Sequence, residues 1–182
     1  EKLKESTNYK LKSLKETLLK FSDNTAKSAL ADELAEFEDR IASADKVDVF
    51  AQISSDLKQL EEKLDTILCN PSVAADNLEA YNFDVVYGYD DDENVISAQT
   101  VVNCEILFGD TLMNLKAESY RDGYTLSVEA TEDAGYAYVI HVLDTESGLA
   151  YDIKVKVLAN QAAVNVSNKI QECRKLMSPF EN

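Results

Sequence analysis

LEEKLDTILCNPSVAADNLEAYNFDVVYGY, residues 60–89, changes its apolar period part-way along. Before Asn70-Pro71, Leu60, Leu64 and Ile67 recur at three-and-four spacing, the mark of one helix face. After it, Phe83, Val85, Tyr87 and Tyr89 alternate, the mark of a strand with two unlike faces. Asn70-Pro71 is the boundary, because the residue before a proline is pushed out of the α region. The chain therefore divides into a helical segment, 1–70, and a β segment, 71–182.

Charge changes at the same place. The 182-residue chain carries a formal charge of −16. Between Asp76 and Glu146 sixteen acidic residues face two basic ones, Lys116 and Arg121, whereas the first twenty residues hold six Lys against three Glu. Such a balance disfavours nucleic acid and anionic membranes as direct partners, since both would be repelled. It favours a protein partner with a basic surface. No run approaches the eighteen apolar residues that a membrane-spanning helix needs. Cys69, Cys104 and Cys173 form no CxxC pattern, which suits free buried thiols in a reducing, intracellular setting. The chain begins at Glu1, so an upstream segment is expected to have been removed.

Upstream of the boundary, Leu11, Leu14, Leu18 and Phe21 predict a first helix, and Ser22-Asp23-Asn24-Thr25 interrupts it with residues that favour caps. Leu30, Leu34, Phe37 and Ile41 predict a second. Asp45 is the expected N-cap of a third, whose stripe Phe50, Ile53, Leu57, Leu60, Leu64 and Ile67 keeps a heptad alternation. Two or three antiparallel helices follow from the short breaks. A bundle this small is marginal alone. The third stripe is therefore expected to pack on the sheet, or to drive self-association or docking through Phe50, Ile53, Leu57, Leu60 and Leu64.

Downstream, six strand-like runs are separated by turn residues: Phe83–Tyr89, Val102–Phe108, Leu112–Tyr120, Tyr124–Ala130, Tyr136–Leu143 and Leu149–Val157. Short connections predict antiparallel neighbours throughout, hence a six-stranded meander. The run from Tyr136 is apolar on both faces and reads as a central strand covered on both sides. Ala163, Val166, Ile170, Cys173 and Met177 predict a closing helix over one sheet face. The fold class is then α+β.

Chemistry is sparse. His141 is the only histidine and sits in the most apolar run, where burial would disfavour its charged form. No P-loop, GxGxxG, HExxH or CxxC motif occurs, so neither catalytic residues nor a cofactor are predicted. Asp90-Asp91-Asp92-Glu93-Asn94 opens like a calcium loop, but Val95 stands where the loop needs Gly and Val101 where it needs its closing Glu. Asp90, Asp91, Asp92 and Glu93 are read instead as a solvated hairpin tip and a candidate contact for the basic partner. The expected function is a non-enzymatic interaction module, whether adaptor, assembly chaperone or acidic inhibitor.

From about residue 82 onward the element order resembles the helix-grip architecture of START-like and pathogenesis-related proteins. That resemblance implies an alternative, a carrier that encloses an apolar small molecule between sheet and last helix. The three helices at the front have no counterpart in it.

Overall fold

Three helices form where the three apolar stripes fall in the computed structural model, which describes residues 1–159. α1 (Lys2–Leu18) buries Leu11, Leu14 and Leu18, and α2 (Thr25–Ser43) buries Leu30, Leu34, Phe37 and Ile41. α3 (Val47–Ile67) buries all six residues of the heptad stripe. Asn24 caps α2, its side-chain oxygen accepting from the Lys27 amide at 2.8 Å. α3 differs from expectation at its start: Lys46, not Asp45, is the N-cap, and no side chain caps it. Phe21 lies just past α1 but stays buried, edge-on to Tyr151 with ring centroids 6.3 Å apart.

Seven strands follow: β1 (Ser72–Ala74), β2 (Leu78–Tyr89), β3 (Val95–Ile106), β4 (Lys116–Glu118), β5 (Tyr124–Ala130), β6 (Tyr138–Asp144) and β7 (Ala150–Ala159). Five build one sheet in the order β2-β3-β7-β6-β5, while β1 and β4 pair separately. The predicted six-stranded antiparallel meander is thus corrected in two respects. β3 and β7 are parallel, with Val102 opposite Val155, so the sheet is mixed. Only β5-β6-β7 is a meander.

The physical reason lies in Leu107–Gly123, which exceeds the dozen or so residues a parallel crossover requires. It shrinks the expected Leu112–Tyr120 strand to the three residues of β4, which join β1 outside the main sheet. It then delivers the chain to the far edge. β6 is therefore next to an edge, β7 is central, and Leu143 on β6 is 38% exposed, so β6 is not covered on both sides. The predicted closing helix with Ala163, Val166, Ile170, Cys173 and Met177 lies outside the described residues.

Register sorts the side chains into rows. One face carries Val85, Thr100, Ile153, Ile140 and Val128 in one row, and Phe83, Val102, Val155, Tyr138 and Ala130 in the next. The central members of both rows join a single hydrophobic cluster with the stripes of α1, α2 and α3. Polar contacts reinforce that junction: Ser22 N donates to the Ala150 carbonyl, Asn24 Nδ2 to Gly148, and Tyr124 Oη to Thr66. Cys104 is buried in the same cluster, and burial pushes its thiol up to about 11, whereas Cys69 is exposed, contrary to expectation.

One buried side chain anchors the first half of the crossover. Asn77 is fully buried, and its side-chain amide donates to the carbonyls of Phe108 and Thr111 while its oxygen accepts from the Met113 amide. The loop keeps Leu107, Phe108 and Met113 exposed around this anchor.

Candidate functional site

The residues expected to recruit a second chain through the heptad are already in use. Phe50, Ile53, Leu57, Leu60 and Leu64 are all buried, Ile53 and Leu64 completely, and all five belong to the protomer's own core. The stripe packs intramolecularly and offers no exposed seam. Among the described residues, the exposed acidic and aromatic side chains cluster instead on the sheet and its hairpin.

β2 and β3 are joined by Asp90–Asn94, and all five of those residues are exposed. The Asp90 carboxylate organises the turn. Its Oδ1 accepts from the amides of Asp92 and Asn94, both at 2.9 Å, and these bonds, led by the one from the Asn94 backbone, hold its pKa below the usual carboxylate value. Glu93 takes a left-handed backbone, φ 65°, to close it. Asp91, Asp92 and Glu93 form no salt bridge among the described residues. The tip is therefore a fixed scaffold presenting three solvated carboxylates. Asp90 is spent on the loop itself, and no group of three or more His, Cys, Asp or Glu among the described residues is placed to hold a metal ion.

Below the tip, β2 is an edge strand of twelve residues among the described residues. Its helix-side face carries an aromatic ladder. Tyr81 and Phe83 stack edge-on at 5.8 Å, and Tyr87 lies 6.5 Å from Tyr89. The helices do not reach this far: Tyr81, Tyr87 and Tyr89 are exposed, as is Ile96 on β3. Register shifts occur between Leu78 and Ala80 and between Gly88 and Tyr89, so pairing is regular over Ala80–Gly88. At Gly88 a Cβ would meet Ser97 Oγ at 2.2 Å, so the backbone approaches its neighbour there more closely than a side chain allows.

The opposite sheet face is polar. Asp84, Val101, Lys154, Val139 and Glu129 form one row, and Asp152, His141 and Ser127 belong to the next. Lys154 pairs with Asp133 at 3.1 Å and lies 5.1 Å from the Tyr136 ring centroid. His141 is not buried among its apolar chain neighbours, contrary to the expectation from its sequence context. Strand alternation turns it to this face, where Nδ1 sits 2.7 Å from Asp152 and Nε2 3.0 Å from Glu129.

With a carboxylate at each ring nitrogen, the imidazolium is favoured. The hydrogen bond to Asp152, then that to Glu129, raises the His141 pKa above 6.5. A folded-state pKa above the unfolded one gives stabilisation that is complete below the unfolded value and lost as pH rises through the folded one. His141 is 41% exposed, so solvent screening limits the effect to about 1 kcal/mol or less. Denaturant melts of wild type and His141→Gln should therefore differ most below pH 6.5, and the difference should shrink as pH rises through the raised folded-state pKa. A difference that grows with pH would contradict this assignment.

A cleft of about 720 Å³ opens between the C-terminal end of α3 and the loops flanking β5 and β6. Its walls mix Glu62, Asp122 and Glu146 with Lys63 and Arg121 around Tyr124, so it is open and charged rather than an apolar enclosure. Nearby in the core, the buried Tyr151 hydroxyl has no hydrogen-bond partner among the described residues. Neither feature places a nucleophile beside a base.

No protein-family model, curated protein or solved structure matches the chain. Among the described residues no helix is long and apolar enough to cross a membrane.

The sequence reading placed the acidic tip but missed two features. Phe83, Val85, Tyr87 and Tyr89 were visible as an alternating run, but their edge position depends on β7 inserting beside β3. The Glu129–His141–Asp152 bridge likewise depends on registers between three strands. A lone polar residue at an outward position of an apolar strand was the available signal.

Proposed function

We propose that this protein is a non-enzymatic interaction module whose acidic β-sheet unit, centred on the β2–β3 hairpin, engages a basic partner. The observation that carries this reading is the tip: Asp91, Asp92 and Glu93 project from an ordered turn with no counter-cation among the described residues, above an exposed tyrosine ladder. Carboxylates held in place at a protruding tip speed encounter with a cationic surface and discriminate against acidic ones. Tyrosine beneath them supplies amphipathic contact area at low entropic cost. The docking role expected of the α3 stripe is not retained, because that stripe is internal. The carrier alternative requires the closing helix, which is outside the described residues.

The test is kinetic. A fluorescent ten-residue oligolysine should associate with the protein about tenfold more slowly at 0.3 M than at 0.03 M salt, as exposed charges become screened. Replacing Asp91→Asn, Asp92→Asn and Glu93→Gln together should slow association at low salt while leaving the dissociation rate nearly unchanged. Asp90 is kept, because it holds the turn. An association rate indifferent to salt and to these substitutions would remove the proposal.

A further inference from the structure

We infer that the partner binds as an extended segment with alternating basic and apolar residues, added as a sixth strand along the β2 edge that no described strand pairs. This rests on the interaction-module reading and specifies its mode.

Among the described residues β2 ends the strand order, and over Ala80–Gly88 it runs without a register shift. Every second residue of an edge strand turns its N–H and C=O outward, a template for another strand. Natural edges are usually blunted by proline, lysine, a central bulge or a covering element. Here the irregularities flank the regular stretch rather than interrupt it, it contains no proline or lysine, and Asp84 is its only charge. The other edge is less suited: β5 has only seven residues.

The two faces of the edge define the occupant. One presents Tyr81, Phe83, Val85 and Tyr87, and the other Asn82, Asp84 and Val86, with Glu105 exposed on β3 opposite Ala80. A strand laid beside β2 would place alternate side chains on these faces, apolar ones beside the tyrosines and basic ones beside Asp84. One end would reach the carboxylates of the tip. A second copy fits worse. Antiparallel self-pairing would bring the acidic tip of one chain against Asp76 of the other, like charge against like.

The experiment uses the full chain and two synthetic ten-residue peptides of alternating lysine and valine. One is unmodified, and the other is N-methylated at its four central residues. Methylation removes backbone donors and blocks strand pairing while preserving side chains and charge. The unmodified peptide should bind at least tenfold more tightly than the methylated one, and Tyr87→Ala should weaken it severalfold without altering the circular dichroism. Equal affinity for the two peptides would overturn strand addition and leave acidic recognition standing. No binding of the unmodified peptide at millimolar concentration would also overturn it, and the oligolysine kinetics would then decide the broader reading separately. A dimer that protects the β2 amides without any peptide would overturn it in favour of a second copy.

Discussion

Replacing Leu57 and Leu64 together by aspartate is expected to unfold the whole chain, helices and sheet in one transition. Both side chains are buried, at 1% and 0% exposure, within the cluster that also contains Val102, Ile140, Ile153 and Val155. Truncating one such leucine to alanine costs about 2–5 kcal/mol. A carboxylate adds the penalty of an unpaired buried charge. Two such changes exceed much of the about 5–15 kcal/mol by which an ordinary domain is stable. Far-ultraviolet circular dichroism should lose its helical and β signals together, and the near-ultraviolet tyrosine signal should collapse with them. A β spectrum that survives the loss of helix would show that residues from 71 onward fold without the helices, and that α3 only leans on the sheet.

Asn77 is the second position where a single change should be felt strongly. Removing its amide with Asn77→Ala leaves the Phe108 and Thr111 carbonyls and the Met113 amide without their partner. Each lost bond is worth about 1 kcal/mol, and more where the group left behind stays dry, so about 2–4 kcal/mol is expected. Asn77→Asp should be worse at neutral pH, although it is nearly isosteric. It keeps the acceptor for Met113 but turns a carboxylate oxygen toward two carbonyl oxygens. Chemical denaturation of the three proteins should rank them wild type, then alanine, then aspartate. An aspartate variant as stable as wild type would mean that the crossover does not depend on those two donated bonds.

These two expectations mark where sequence pattern was informative and where it was not. The three helical stripes were legible because a 3.6-residue period over about three to five turns has few other solutions, and every residue on them is buried. Alternation likewise located five of the six predicted strands. Strand order was not legible. Alternation specifies which side chains share a face but not which strand lies beside which. Leu112 to Tyr120 looked like a strand of the main sheet, but Leu112, Leu115 and Ala117 pack against the core from a crossover of which only Lys116–Glu118 is strand, paired with β1 outside that sheet. His141 was misplaced for the same reason: its neighbours are apolar because they face the core, and the histidine between them faces away. The tip was legible because Asp and Asn favour turns whatever the topology. The open edge beside it was not, because an edge is defined only by the strand that fails to arrive.

Amide hydrogen exchange across the full chain, with and without the unmodified lysine–valine peptide, tests the central claim most directly. If the acidic hairpin is the recognition surface, added protection should fall on β2 and on Asp90–Asn94, with α1, α2 and α3 unchanged. Protection confined to the helices, or to the cleft at Lys63 and Arg121, would contradict it.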